Sequence, residues 1–250
     1  RPTKTYDDCW YERAMTEYFT RNLAHNENRI NHCRLVPFWQ LYLYCAKVKG
    51  NDDFYKDLYE AVRTTPNPVT AGKCQLEFVK KACAAAKMDL TPFFEKFGFL
   101  KPFRQEVNDY GKRMFEVTAE DIEQTRKEIK AKKYPKQQLP FWYITDNTVD
   151  LFKNPQPVET GTAVCKGNTF TMKDWKGVVA YEVFQKGKLV FVAPLQQFTV
   201  EGVAVDEKTK VYAIAADGKK TKVDFQWTED LEQQKRMKER DSKYGNMYNR

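Results

Sequence analysis

The spacing of apolar residues changes near Pro135, and this change restricts the fold more than any other feature of the sequence. Before it, apolar residues recur every three or four positions, which predicts amphipathic helices. After it, from about 140 to 227, short alternating runs flank turn sequences such as "QKG" and "ADGKK", which predicts antiparallel strands joined by hairpins. The sequence therefore predicts an α+β protein, in which an all-α helical subdomain is followed by an antiparallel β-sandwich domain.

Turn and cap residues suggest where these parts begin and end. Gly50 and Gly98 suit helix C-termini, and Thr118 with Asp121 resembles a capping box. We predict helices at 10–24, 34–50, 52–65, 73–87, 89–100 and 117–135. The predicted domains are a helical part at 1–136, a β-sandwich module at 137–228 and a polar helical tail at 229–250.

The charge distribution gives weak evidence about partners. The formal net charge is +8, from 42 Lys and Arg against 34 Asp and Glu. Cationic and acidic residues are mixed along the chain, and the densest cluster, "RKEIKAKKYPK", ends a predicted helix, where the helix dipole favours cations. We therefore expect no nucleic-acid partner. Apolar runs are too short for a membrane span, so we expect none in this chain.

Six cysteines are present, and none has the CxxC spacing of a zinc ribbon or a thioredoxin-type motif. Cys9 and Cys33 could pair across a helix connection, or all six could be thiols, so the disulfide state stays open. A nucleophilic triad is also hard to build, because His25 and His32 lie close together near a helix end. No glycine-rich phosphate cradle is present. We predict no catalytic residue from these patterns.

Glu17, in "AMTEYF", is the one acidic residue that stands out among apolar neighbours in the first predicted helix. Spacing alone favours an ordinary ion pair with Arg21, or with Arg13 on the other side, which would stabilise the helix by roughly 0.2–0.5 kcal/mol. The alternative is a metal ligand. In zinc peptidases with an HExxH helix, two histidines one turn apart bind the ion, and in one class a glutamate from a later helix is the third protein ligand.

The segment "CWYERAMTEYFTRNL" resembles this third-ligand helix in the enhancin-like zinc metallopeptidases, gluzincins that include bacterial mucin- and glycoprotein-cleaving relatives of viral enhancin. Met15, Thr16 and Glu17 stand where the family pattern W-x-x-M-T-E-V-T-N-N places them, although Trp10 lies farther upstream than in that pattern. The runs 34–63 and 75–102 are similar to the helical region after the active site. The runs 175–190 and 209–220 resemble the C-terminal module of such proteins from gut bacteria.

The resemblance implies that Glu17 is a zinc ligand in the intact parent protein and that 1–136 is the helical C-terminal part of a catalytic domain. It also implies a glycoprotein or mucin substrate and an extracellular or bacterial cell-surface location. The HExxH motif of the family lies upstream of this glutamate, and the 250 residues contain none. Because catalytic zinc needs about three protein ligands, we expect this chain alone to bind no zinc and to be inactive. Its partner would then be the missing N-terminal part of the catalytic domain.

A different class of function also fits the sequence. The chain could be a non-catalytic glycan- or protein-binding module, with exposed aromatic residues of the sandwich stacking on sugar rings. Trp142, Tyr143 and Trp175 are the candidates, and each could instead be a core aromatic residue.

Overall fold

The computed structural model describes residues 4–108, 111–232 and 235, with side chains described from Trp10 onward. Two compact units divide the chain. The first extends to Gln156 and includes Ala216–Gly218, and the second comprises Pro157–Ala215 and continues from Lys219. Helices dominate the first unit and strands the second, which confirms the predicted α+β class. None of the described helices is both long and apolar enough to cross a membrane.

The first unit is built mainly from α-helices. Within the described residues these are α1 Lys4–Arg21, α2 Asn31–Tyr42, α3 Phe54–Thr64, α4 Ala71–Ala86, α5 Thr91–Lys96, α6 Ala119–Ala131 and α7 Val149–Lys153. A π-helix, Leu43–Val48, continues α2, and two 3-10 turns lie at His25–Glu27 and Phe141–Tyr143. The predicted cap of α6 is confirmed, because the Thr118 hydroxyl accepts a hydrogen bond from the backbone N–H of Asp121 at 3.1 Å.

A β-hairpin interrupts the helices, so the prediction of an all-α first part was wrong in this detail. Strands β1 Phe103–Asn108 and β2 Lys112–Val117 pair antiparallel. Most of their side chains are exposed, so the two faces carry no apolar alternation that would have indicated strands. The hairpin lies close against α4, where a Cβ atom on Gly72 would be only 1.6 Å from the backbone oxygen of Glu116.

The structure places the division between the units later than the predicted boundary at 136/137. The segment after Pro135 packs onto the helices because the side-chain amide of Gln40 donates to the carbonyl oxygens of Trp142 at 2.8 Å and Ile144 at 2.9 Å. The rings of Tyr44 and Phe141 also stack, with centroids 3.9 Å apart. These contacts bring 137–156 into the helical unit. Most of the predicted tail at 229–250 lies outside the described residues.

The second unit contains two four-stranded sheets, in the orders β10-β3-β4-β7 and β6-β5-β8-β9. The strands are β3 Thr162–Lys166, β4 Thr169–Lys173, β5 Val178–Gln185, β6 Lys188–Ala193, β7 Gln197–Thr199, β8 Lys210–Ala215, β9 Lys220–Val223 and β10 Gln226–Thr228. Their ladders are antiparallel except for β10 with β3, which is parallel. The predicted turn "QKG" joins β5 to β6, and Lys186 and Gly187 both have positive φ, as a tight hairpin turn requires.

Both sheets contribute to one hydrophobic core. Phe170 and Phe198 from the first sheet share a buried cluster with Tyr181, Val183 and Val211 from the second. Along β3 and β4, buried residues alternate with more exposed ones, as expected for a sandwich. The predicted β-sandwich is therefore present in the second unit, and it is antiparallel except for the pairing of β10 with β3.

Candidate metal ligand and an aromatic groove

Glu17 lies at the edge of the buried face of α1. This face packs against the core. Its buried side chains are those of Tyr11, Ala14, Met15 and Tyr18. The Glu17 side chain is 23% exposed, and its Oε2 lies 2.6 Å from Nη1 of Arg21, one helical turn further on. Of the two arginines that spacing proposed as partners, Arg21 forms the pair. The role of Glu17 as a metal ligand stays a prediction.

His25 is enclosed by aromatic rings. Its imidazole stacks on Phe99 with centroids 3.8 Å apart, and the Tyr18 hydroxyl lies 3.3 Å from Nδ1. Burial, together with the positive charge of Arg34, lowers the pKa of His25 to about 3. The imidazole is therefore neutral at pH 7, and its packing makes it a structural residue of the core.

His32 lies on the surface of α2, where its ring stacks on Trp10 with centroids 4.3 Å apart. It borders a shallow groove of about 170 Å³, which we call the Trp39 groove. The groove is lined by Trp10, Tyr11, His32, Leu35, Val36, Trp39 and Asp146. The carboxylate of Asp146 accepts hydrogen bonds from the Tyr11 hydroxyl at 2.7 Å and from Nε1 of Trp39 at 3.1 Å.

No local pattern in the sequence predicts this groove. Asp146 lies 107 residues after Trp39, and only the packing of the segment after Pro135 onto α2 brings the two side chains together. The run around Trp39 is apolar on nearly every side, so sequence predicts a buried helix there, yet Trp39 is 48% exposed. Hydrophobic periodicity does not predict that the indole at this position is exposed.

The residues that the structure describes do not complete a zinc site. Among them, no three His, Cys, Asp or Glu side chains are grouped so that they could hold a metal ion. A protein-bound zinc ion has about three such ligands even in catalytic sites, where its fourth coordination position is left for water or substrate. Glu17 could therefore supply one ligand, and the others would have to come from residues beyond these.

The buried cysteines are also unsuited to metal binding or nucleophilic attack. Burial raises the pKa of the thiols of Cys45, Cys83 and Cys165 to about 12. Both chemistries use the thiolate, which is scarce at neutral pH when the pKa is so high. These three residues belong to the core.

Of the two alternatives left open for Trp142, Tyr143 and Trp175, a core position is found for Trp175 and Tyr143. Trp175 is 4% exposed and packs in the sandwich core, with Nε1 donating to the carbonyl oxygen of Thr162 at 3.0 Å. Tyr143 is buried and Trp142 half-buried, and both belong to the helical unit. The physical reason is that each ring fills space in a core or at its edge, where large aromatic surfaces contribute most.

Comparison with known families supports the resemblance seen in the sequence. Residues 4–98 match the family model described as peptidase M60, enhancin and enhancin-like. This region contains α1 with Glu17 and continues through α5. No curated protein matches the chain.

Solved structures extend the similarity over both units. A metallopeptidase from Bacteroides thetaiotaomicron is 25% identical, with a TM-score of 0.64 over 84% of this chain and 41% of its own. A metallopeptidase in complex with Tn antigen is also 25% identical, with a TM-score of 0.63 over 84% of this chain and 45% of its own.

The M60 catalytic domain of ZmpC from Clostridium perfringens, in complex with the sialyl T antigen, is 18% identical with a TM-score of 0.53. It covers 88% of this chain and 42% of its own, and at this identity it supports the fold alone. The chain thus spans less than half the length of each of these three structures. The similarity of this chain to the enhancin-like M60 metallopeptidases is therefore confirmed, and residues 4–98 carry the family match.

Proposed function

We propose that this chain is the C-terminal part of a zinc-dependent metallopeptidase that acts on glycoproteins such as mucins. The observation that carries the proposal is the match of residues 4–98 to the enhancin-like family, within which Glu17 occupies a half-buried position on α1. In the intact protein Glu17 would be one zinc ligand, and two histidines from an N-terminal part of the catalytic domain would be the others. The zinc would polarise the scissile carbonyl and activate water.

The position of Glu17 is compatible with this role. A metal ligand must be held by the fold and still reach the ion, and Glu17 lies at the border between the packed face of α1 and the solvent. Its partner Arg21 is 57% exposed, so the ion pair is not enclosed. Exchanging such an exposed pair for a metal ion would cost little, since exposed pairs contribute about 0–1 kcal/mol.

We propose that the chain alone is inactive as a peptidase. Glu17 would be one of the roughly three ligands that catalytic zinc needs, and no group of three His, Cys, Asp or Glu side chains among the described residues could hold a metal ion. Its activity would depend on association with the N-terminal part of the catalytic domain.

A glycosylated substrate is supported by one of the solved structures. The metallopeptidase in complex with Tn antigen is 25% identical to this chain. We infer that the intact protein likewise recognises glycan near the peptide it cleaves. Such a substrate is extracellular, so we propose an extracellular or bacterial cell-surface location for the protein.

Cleavage of a purified mucin by the gene-length protein tests this function. We expect fragments from the O-glycosylated mucin, little cleavage after enzymatic removal of the glycans, and none with the 250-residue chain alone. Glu17→Gln should abolish cleavage, while Glu60→Gln, which alters an exposed glutamate paired with Arg63 on α3, should not. Equal cleavage of glycosylated and deglycosylated mucin would contradict the substrate class, and full activity of Glu17→Gln would contradict the ligand role.

A further inference from the structure

A second groove, which we call the Lys80 groove, lies between α4 and α6 of the helical unit. Two ion pairs of equal sequence separation show that these helices run side by side in the same direction. Lys73 lies 3.6 Å from Asp121, and Lys80 lies 2.6 Å from Glu128. The groove has a volume of about 240 Å³. Its lining consists of Glu77, Lys80, Lys81, Ala84, Glu128, Ile129, Lys132 and Tyr134.

The two carboxylates of this lining already have a cationic partner. The Lys80 ammonium group pairs with Glu77 on its own helix and with Glu128 on α6. Hydrogen bonds from Lys80 and Gln124 lower the pKa of Glu128, so this carboxylate is ionised at neutral pH. The lining contains three lysines and two glutamates, so its charge is positive. It therefore attracts a negatively charged ligand.

Two further lysines occupy strained backbone positions where α4 and α6 end. Lys87, directly after α4, has a φ of 50°, and Lys133, just after α6, has a φ of 54°. Both angles are left-handed, a conformation in which glycine is the usual residue after a helix because a Cβ atom is disfavoured there. The helix dipole favours cations at a helix end, but the last turn of α6 already contains Lys130. The chain thus keeps two exposed lysines beside the groove at a cost in stability, which indicates a use for their charge.

The size and surface of the groove favour one class of ligand. Its volume is below the roughly 300–1,000 Å³ of small-molecule and cofactor sites, so it suits one side chain of a longer ligand. Ala84, Ile129 and the ring of Tyr134 offer apolar surface to that side chain. From Lys81 to Lys87 the chain rises about 9 Å, the length of about three residues of an extended peptide. Lysine binds carboxylates as a point charge, without the bidentate geometry that arginine imposes.

We propose that the Lys80 groove binds an acidic peptide segment of a partner protein, with one apolar side chain of the segment inserted between α4 and α6. Carboxylates on either side of that side chain pair with Lys81, Lys87 and Lys133. Such charge complementarity speeds association and selects among partners. The proposal goes beyond the peptidase function, because this binding needs neither zinc nor the N-terminal part of the catalytic domain.

Calorimetric titration of the 250-residue chain tests the proposal. The probe is the pentapeptide Glu-Asp-Leu-Asp-Glu, blocked at both ends. We expect saturable binding that weakens several-fold in Lys81→Gln. The peptide Glu-Asp-Ser-Asp-Glu keeps the charge without the apolar side chain and should bind several-fold more weakly. Ala84→Gln, which fills the groove without changing its charge, should also weaken binding. Lys56→Gln is the matched control, because it removes an exposed lysine of α3, and it should leave binding unchanged.

Urea unfolding of the glycine variants separates a binding role of Lys87 and Lys133 from a structural one. Lys87→Gly and Lys133→Gly relieve the left-handed strain, so each should raise the urea midpoint. Each should also weaken pentapeptide binding several-fold, because a charge beside the groove is lost. A lower midpoint with unaltered binding would identify these lysines as structural and overturn their assignment to the site.

Two outcomes of the titration would overturn the proposal as a whole. The first is the absence of saturable pentapeptide binding at millimolar concentration. The second is equal affinity for the leucine and serine peptides together with normal binding by Ala84→Gln, which would show that charge alone attracts the peptide and that the groove is not occupied.

Discussion

The carboxylate of Glu17 and the guanidinium of Arg21 lie 2.6 Å apart, one turn along α1. The pair crosses the border between the packed and exposed faces of the helix, since the Glu17 side chain is 23% exposed and that of Arg21 57%. Arg21 thus gives the Glu17 carboxylate an ion-pair partner and leaves it accessible to solvent. Glu17 is thus held in place by an interaction that solvent or a metal ion can readily replace.

A double-mutant cycle of Glu17→Gln and Arg21→Gln should give a small coupling energy. We expect about 0.2–0.5 kcal/mol in the free energy of unfolding, measured with urea, because the pair is exposed and lies at helical i, i+4 spacing. A coupling energy well above 1 kcal/mol would indicate a structural anchor and contradict the view that Arg21 can release Glu17.

The protonation of His25 should make folding sensitive to acid. The folded-state pKa of His25 is lowered from 6.5 to about 3, chiefly by burial. Below pH 6.5 the unfolded chain therefore binds a proton that the folded chain does not bind until about pH 3. The free energy of unfolding should fall with pH across this window, by about 2 kcal/mol at pH 5 from this group.

Urea unfolding of the wild type and of His25→Phe between pH 4 and 7 measures this contribution. The wild type should lose stability relative to the variant as the pH falls, because the other titratable groups contribute similarly to both. Parallel pH profiles would contradict the assignment of a buried, neutral imidazole.

In the sandwich, the buried carboxylate of Glu182 on β5 pairs with Lys220 on β9. Glu182 is 3% exposed, so removal of this cation should be costly. We expect Lys220→Met to lower the free energy of unfolding by about 2 kcal/mol. Lys222→Met, which breaks an exposed pair with Asp224 just after β9, should cost much less than Lys220→Met. Equal effects in thermal unfolding of the two variants would contradict the buried-pair account.

Gly72→Ala should destabilise the helical unit although it places alanine in a helix. A helical Gly→Ala change normally stabilises by about 0.5–1 kcal/mol. Here the new Cβ would lie 1.6 Å from the backbone oxygen of Glu116, so the β-hairpin must move away from α4. We expect a loss of at least about 1 kcal/mol and faster amide hydrogen exchange at 103–108 and 111–117. An increase in stability would contradict this contact.

Local signals in the sequence predicted the parts of the fold that local chemistry determines. The Thr118 cap and the turn at Lys186 and Gly187 depend on neighbouring residues, and both are present. The hairpin at 103–117 was missed because its two faces are similarly exposed. The contact of Trp39 with Asp146 joins residues 107 positions apart, so it follows from tertiary packing that no local pattern encodes.

For the candidate site, spacing predicted the ion pair of Glu17 with Arg21, and resemblance to a family added the metal-ligand role. The exposure of individual aromatic side chains could not be predicted from the sequence. Trp175, for which surface and core positions were both open, is buried, whereas Trp39 lies in a helix predicted to be buried and is 48% exposed. The difference arises because the burial of a large aromatic ring depends on which elements pack over it.

Zinc content of the gene-length protein tests the central claim most directly. After dialysis against a metal-free buffer, the wild type and Glu60→Gln should retain about one zinc ion per chain, a value near that of other peptidases with three protein ligands. Glu17→Gln should retain far less at the same protein concentration and keep its fold by circular dichroism. Full zinc occupancy in folded Glu17→Gln would contradict the assignment of Glu17 as a zinc ligand.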